Sequence, residues 1–122
     1  MGNFAESKVM VASPDIDLPF ENGFLHFYKN LQEKENLIRL FDRSRSEESF
    51  YTAHGKDALY IAEKVYGTST VLKYYGSKVP SVALKEATAI DMIKDLLLKD
   101  QFKVEIWESQ GKSWTIAKQV LL

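Results

Sequence analysis

Residues 50–66 have the sequence FYTAHGKDALYIAEKVY, and they decide the fold because a strand signal runs directly into a helix signal. Phe50 to Ala53 are aromatic or small residues compatible with a strand. After Lys56, apolar side chains recur at the three- and four-residue spacing of one helix face, at Ala58, Ile61, Ala62, Val65 and Tyr66. Gly67 follows, and glycine commonly stands just past a helix end. The stretch therefore predicts a strand that leads into an amphipathic helix.

Upstream of this stretch, the sequence predicts one more helix and one more strand. Aromatic residues at helical spacing predict a helix over Pro19–Leu31. Leu37–Asp42 is compatible with a strand, and it would pair with Phe50–Ala53 as a hairpin with the loop Arg43–Ser49. The segment 1–18 has no helical or strand period, so we expect a mobile arm there and a single domain over 19–122.

Downstream, the alternation continues with two short strands, a helix and a terminal hairpin. The strands are predicted at Val71–Tyr75 and at Val79–Leu84, where Pro80 indicates an edge position or a strand start. The helix runs from about Glu86 to Lys99, and the residues expected to face inward are Ile90, Ile93, Leu96 and Leu97. The hairpin joins the alternating segment 102–107 to 113–117. This order predicts a mixed α/β (α+β) fold, with one mixed sheet of about six strands flanked by three or more helices.

Composition limits the function. Lys and Arg number 16 and Asp and Glu 17, for a net charge of −1, whereas free-standing nucleic-acid binders usually carry a basic excess. The chain has no cysteine, which excludes disulfides, thiolate metal sites and cysteine nucleophiles. No apolar run approaches the ~18 residues that span a bilayer, so we do not expect the chain to associate with a membrane.

The residues that enzymes and metal sites require are sparse. The two histidines, His26 and His54, lie on the predicted first helix and at a strand-to-helix junction, where structural roles are more common than catalysis. The Gly55–Lys56 pair lacks the glycine five residues earlier that a phosphate-binding loop needs, because Phe50 stands there. We therefore expect no catalytic residue, no metal and no cofactor in this domain.

Several segments, in order, resemble a known family. They are RLFDR at 39–43, FYTAHGKDALYIAEKVY at 50–66, VLKYYG at 71–76, KDLLL at 94–98, and KVEIWE with SWTIAK between 103 and 118. Together they resemble the N-terminal mismatch-recognition domain of MutS-type DNA mismatch-repair proteins, specifically the second eukaryotic MutS homologue type. The resemblance covers about residues 20 to 118. It implies a mixed α/β domain cut from a larger protein.

The resemblance also implies partners and a location. The parent protein would be a nuclear, DNA-dependent ATPase that holds ATP and Mg²⁺ in another domain and pairs with a second MutS-homologue subunit. In this family the first hairpin and the following helix approach mismatched double-stranded DNA in the minor groove. Bacterial MutS and the mismatch-reading eukaryotic partner carry a Phe-x-Glu pair there, in which the Phe wedges beside the mispaired base. The matching positions are Phe50 and Thr52.

Thr52 departs from the family pattern, since a threonine cannot supply the contact that glutamate makes. Phe50, Tyr51 and Thr52 therefore resemble the supporting subunit, which contacts the DNA backbone while its partner reads the lesion. The other predicted DNA contacts are cationic: Arg43, Arg45, Lys56 and Lys8. Glu47 and Glu48 in a loop longer than the family's usual turn oppose groove entry.

Three alternatives remain open at the level of sequence. Phe50 and Tyr51 have the alternation of ordinary strand residues, one of which would be buried. The aromatic residues Tyr74, Tyr75, Trp107 and Trp114 favour a protein-interaction module if short strands cannot bury them all. The acidic loop residues also allow a domain that has lost DNA contact and acts as a spacer.

From the balanced charge we predict that the isolated chain binds duplex DNA weakly, at best near ~10⁻⁴ M at physiological salt. Fluorescence anisotropy of a labelled mismatched duplex, titrated at several salt concentrations, measures this affinity. Tight binding of the mismatch that does not weaken with salt would contradict a mechanism based on contacts to the phosphate backbone.

Overall fold

A computed structural model describes residues 24, 26–44, 48–75, 79–100, 102–110 and 113–120. Six strands lie within these ranges: β1 (Leu37–Asp42), β2 (Phe50–His54), β3 (Lys73–Tyr75), β4 (Val79–Lys85), β5 (Lys103–Gln110) and β6 (Ser113–Val120). Two helices follow strands: α1 (Lys56–Ile61), extended by a π-helical turn at Ala62–Tyr66, and α2 (Glu86–Asp95), extended by another at Leu96–Asp100. Helical residues at 24 and 26–29 confirm the described part of the predicted first helix.

The strands form one mixed sheet in the order β3-β4-β2-β1-β5-β6. The β1–β5 pair is parallel, from Leu37 opposite Lys103 to Phe41 opposite Trp107, and every other neighbouring pair is antiparallel. The predicted hairpin is present as β1 and β2, with Phe41 opposite Thr52. The predicted mixed sheet of six strands flanked by helices is confirmed.

The two faces of the sheet are packed in different ways. On one face, α1 and α2 cover the main apolar core, whose buried strand residues are Ile38, Leu40, Ala53, Val82, Leu84 and Val104. Alternation along β1 and β2 sends Phe41, Thr52 and His54 to the opposite face. There, Phe24 packs on Phe41 in an aromatic layer that includes Phe27, Tyr28, Trp107 and Trp114. We call this set of residues the aromatic layer.

The helix α1 begins and ends where the sequence predicts. Its buried apolar residues Ala58, Ile61, Ala62 and Tyr66 are members of the predicted apolar stripe. Gly67 has a φ of +70°, and the amide of Thr68 donates to the carbonyl of Ala62 over 3.1 Å, which closes the helix end.

The inward face of α2 differs from the prediction. Ala89, Met92 and Leu96 are buried, whereas Ile90 is 47% exposed, so the prediction that Ile90 faces inward is wrong. The stripe at spacings of three and four residues begins with Ala89, whose small side chain lets the helix lie close to the sheet, and Ile90 is rotated about 100° from it. Ile93 packs partly against the core, as predicted.

The boundaries of three strands also differ. Val71 belongs to a 3₁₀ turn, Ser69–Val71, in which the hydroxyl of Thr68 accepts the amide of Thr70, so β3 starts only at Lys73. β5 and β6 are longer than predicted, because pairing continues through residues that lack apolar alternation, out to Gln110 opposite Ser113. Pro80 stands near the start of β4, which is an inner strand, so the strand-start alternative is the one observed.

Gly55 joins β2 to α1 under tight constraint. Its φ is +62°, its amide donates to the carbonyl of Pro80 over 2.9 Å, and a Cβ atom there would lie 2.5 Å from the hydroxyl oxygen of Tyr28. That hydroxyl donates to the carbonyl of His54 over 2.9 Å. The position therefore demands both a left-handed backbone and the absence of a side chain.

We predict that Gly55→Ala lowers the free energy of unfolding by about 2–4 kcal/mol, from the positive φ and the overlap with Tyr28. Gly67→Ala is the matched control: its φ is also positive, but no atom lies within 4 Å of its new Cβ, so we expect a loss of about 1–2 kcal/mol. Urea denaturation measures both. Tyr28→Phe should partly suppress Gly55→Ala, and equal losses for the two glycines would contradict the overlap.

Candidate nucleic-acid interface

The loop end of the β1–β2 hairpin brings together residues from three adjacent strands. The amide of Arg43 donates to the carbonyl of Phe50 over 2.9 Å, and Phe50 lies opposite Lys85 at the end of β4. The amide of Glu86 donates to the carbonyl of Ser49 over 3.2 Å. Arg43 and Lys85 therefore stand at the same edge of the sheet, which we call the hairpin end.

Lys56 lies at the other end of β2. This five-residue strand is roughly 13 Å long at ~3.3 Å per residue, and Lys56 follows it beyond His54 and Gly55. The exposed Nζ of Lys56 donates to the carbonyl of Lys34 over 2.9 Å. The structure therefore places Lys56 and Arg43 at opposite ends of β2.

Phe50 and Thr52 are interior residues. Phe50 is 2% exposed and Thr52 0%, and both project from β2 on the face opposite α1. In this conformation neither side chain can reach a DNA duplex, so their predicted direct contact is not available here. The strand-residue alternative describes them, and Phe50 is the buried member of the Phe50–Tyr51 pair.

Tyr51 is half-buried on the helix-covered face, where it packs against the main core. Burial, and then the negative charges of Asp42 and Glu86, raise the pKa of its hydroxyl. Asp42 also shapes the hairpin end, since its Oδ1 accepts the amide of Ser44 over 2.8 Å. The neutral Tyr51 hydroxyl therefore lies among carboxylates.

Arg43 is held against the aromatic layer. Its guanidinium carbon lies 4.4 Å from the ring centre of Phe24 and 4.9 Å from that of Trp114, within cation–π range. Its Nε donates to the hydroxyl of Thr52 over 3.1 Å. Of the predicted contacts that the structure describes, Arg43 is the cation at the hairpin end. Arg45 and Lys8, and the predicted arm 1–18, lie outside the described residues.

Thr52 connects Arg43 to a buried histidine. His54 is 1% exposed, its Nε2 lies 2.9 Å from the hydroxyl of Thr52, and its Nδ1 lies 2.7 Å from the hydroxyl of Ser81. Burial, and then the positive charge of Arg43, lower the pKa of His54 well below 6.5. The imidazole is therefore neutral at physiological pH.

Sequence reasoning missed three further buried charges. Arg39 and Glu105, from the parallel pair β1–β5, form an ion pair with 3.4 Å between Nε and Oε1, and both residues are buried. Asp57 accepts the amide of Arg39 over 3.1 Å, and burial raises its pKa to about 6. A signal existed in the sequence, because Arg39 stands between Ile38 and Leu40 in a strand. Alternation places its side chain on the opposite face of the sheet, which is also packed.

The family profile described as MutS domain I matches residues 22–120, which is most of the chain. The chain belongs to the MutS domain I family. Among curated proteins it is 36% identical over 117 residues to the DNA mismatch repair protein msh-2 of Neurospora crassa, and the match covers 90% of the chain. It is 34% identical over 123 residues to the DNA mismatch repair protein MSH2 of Arabidopsis thaliana, over 96% of the chain. The MSH2 of Zea mays is 31% identical over 84% of the chain.

The chain is thus a MutS domain I of the MSH2 type, and it matches 11% to 12% of the length of these relatives. Domain I is a non-catalytic region of its family. Within the described residues, no three His, Asp or Glu side chains are grouped so that they could hold a metal ion. Nor does that part of the chain contain a helix long and apolar enough to cross a membrane.

The buried imidazole predicts acid sensitivity of this MutS domain I. The unfolded chain binds a proton at His54 near pH 6.5, and the folded chain does so only at much lower pH. The stability contribution is therefore complete above pH 6.5 and falls on acidification by about 1.4 kcal/mol per pH unit until the folded pKa is reached. The fall should appear in the free energy of unfolding of the wild type minus that of His54→Asn, measured by urea denaturation at pH 7, 6 and 5.

The difference between variant and wild type removes the contributions of other groups, including Asp57, which acts in the opposite direction. His26→Asn is the matched control for loss of an imidazole, since His26 is exposed. We expect it to keep the wild-type pH dependence. An equal change in slope for both variants would show that the burial of His54 is not the cause.

Proposed function

We propose that this domain contacts the backbone of duplex DNA beside a mismatch through the hairpin end, as the supporting subunit of a heterodimer. The observation that carries the proposal is the position of Arg43 and Lys85 at one edge of the sheet in a MutS domain I. The relatives that it resembles are named as DNA mismatch repair proteins. Arginine and lysine are the residues that most often bind phosphate oxygens.

The charges at the hairpin end support a weak and local contact. Asp42, Glu48 and Glu86 stand near Arg43 and Lys85, so the described acidic side chains there outnumber the basic ones by three to two. Such an edge cannot hold DNA by a broad positive potential. Other parts of a larger protein would have to supply most of the affinity, which agrees with a chain that matches about 12% of its relatives' length.

The burial of Thr52 supports a backbone contact rather than base reading. The position that the resemblance assigns to the base-contacting glutamate of other MutS proteins holds a hydroxyl that is 0% exposed. A side chain that turns inward to Arg43 and His54 does not present a hydrogen-bonding group to a base edge. In this proposal the second MutS-homologue subunit reads the lesion.

The remaining parts of the proposal concern the parent protein. It would work in the nucleus and use ATP and Mg²⁺ in a domain outside this chain. Mismatched double-stranded DNA and the second subunit would be its partners. These statements rest on the membership of the chain in the MutS domain I family.

We predict that Arg43→Gln in the full-length protein, assembled with its partner subunit, lowers the yield of crosslinks between this domain and a mismatched duplex. The expected weakening of DNA binding is about 3- to 20-fold, at and below the lower end of the range for a hydrogen bond to a charged group, because water screens a contact at the protein surface. Lys56→Gln is the matched control, because it removes the same charge at the opposite end of β2. Crosslinking and salt-titrated affinity measurements check both.

A loss of crosslinking in Arg43→Gln alone supports the hairpin end as the DNA interface. A loss in Lys56→Gln alone would move the interface to the other end of β2. Unchanged crosslinking and unchanged repair in both variants would overturn the proposal in favour of a second candidate.

That second candidate is a protein-interaction module that docks sibling domains or repair factors without touching DNA. The exposed ring of Tyr74, at 59%, favours it, as does the burial of Phe50. Trp107 and Trp114 count against it, because both pack partly inside the aromatic layer. The side chain of Tyr75 lies outside the described part of the chain.

A further inference from the structure

Three segments fix the side chain of Arg43. The ring of Phe24 and the ring of Trp114 lie within 5 Å of its guanidinium carbon, at 4.4 and 4.9 Å. The hydroxyl of Thr52 accepts from its Nε over 3.1 Å. The aromatic contacts hold the guanidinium near the layer, and the hydrogen bond from Nε sets its rotation, because the five N–H groups of arginine point in fixed directions.

The hydroxyl of Thr52 is oriented in turn by His54. Arg43 can only donate, so Thr52 accepts that bond and its own hydrogen points elsewhere. His54 Nε2, at 2.9 Å, is the acceptor within reach, and the neutral ring then carries its proton on Nδ1 and donates it to the hydroxyl of Ser81 over 2.7 Å. This assignment gives every bond in the chain one donor and one acceptor.

We propose that Ser81, His54 and Thr52 form a buried relay that presets the Arg43 guanidinium for a DNA phosphate, so that Thr52 and His54 are positioning residues acting through Arg43. This proposal rests on the DNA contact proposed above. It assigns a role to the threonine at the position where other MutS proteins contact a base. In this proposal the Thr52 hydroxyl supports the contact that its own subunit makes with the DNA backbone.

The geometry fits preorganisation. An arginine on an exposed loop loses rotamer freedom when it binds a phosphate, whereas this one is already ordered by packing and a hydrogen bond. A purely structural network would satisfy buried polar groups without affecting Arg43. The two explanations differ in whether changes at Thr52 act through Arg43.

The first experiment is nitrogen-15 NMR of the 122-residue chain. We expect the Nε–H signal of Arg43 to be sharp and slow to exchange with water in the wild type. Thr52→Val should abolish this protection, since valine has the same shape without the acceptor, and Thr52→Ser should restore it. Val82→Ala is the control, because Val82 is 1% exposed on the helix-covered face and its loss lowers stability without touching the relay.

The second experiment is a double-mutant cycle in the affinity of the full-length protein for a mismatched duplex. We expect Thr52→Val to weaken binding about 3- to 10-fold when Arg43 is present and less than about 1.5-fold in the Arg43→Gln background, as coupled neighbours do. Thr52→Ser and Val82→Ala should stay within about 1.5-fold of the wild type. If Thr52→Val does not fold, Ser81→Ala removes the far end of the relay and takes its place.

The outcomes separate the two proposals. If Arg43→Gln weakens binding but Thr52→Val has no effect, or has an equal effect in both backgrounds, the relay is overturned and the interface stands. If Arg43→Gln itself has no effect, the interface fails and the relay fails with it. Coupling between Thr52 and Arg43, with rescue by serine, supports the relay.

Discussion

The junction at Gly55 is the constraint on which much of the structure depends. At this point β2 ends, α1 begins, the Gly55 amide bonds to β4 through Pro80, and Tyr28 reaches the carbonyl of His54 from the other side of the sheet. A left-handed backbone without a side chain lets all four segments meet. A side chain at this position would displace the Tyr28 hydroxyl and so weaken the attachment of the aromatic layer to β2.

The sequence specified the fold to a large extent because its strongest signals are local and periodic. The stripe of α1, the hairpin β1–β2 and the glycine after Tyr66 all depend on residues a few positions apart, and all are confirmed. The prediction that Ile90 faces inward was wrong because two apolar stripes overlap on α2. Burial of Ala89 against the sheet decides which stripe packs. No local pattern distinguishes these stripes.

The candidate site was less predictable for a different physical reason. Alternation alone places Phe50 and Thr52 on one face of β2, but whether that face is open or covered depends on Phe24 and Trp114, which are distant in sequence. The candidate cations Arg43 and Lys56 follow from residue type alone, but their separation along β2 depends on the register of the sheet. The buried pair Arg39–Glu105 requires the parallel pairing of β1 with β5, which joins residues far apart in the chain.

Both tryptophans of the chain lie in the aromatic layer, Trp107 5.9 Å and Trp114 5.6 Å from Phe41 between ring centres. The helices α1 and α2 lie on the other face of the sheet, without a tryptophan. Intrinsic fluorescence therefore reports on one face of the domain and helical circular dichroism chiefly on the other. The protein thus contains two native, label-free probes of unfolding. If the fluorescence and circular-dichroism transitions did not coincide, the two faces of the domain would open independently.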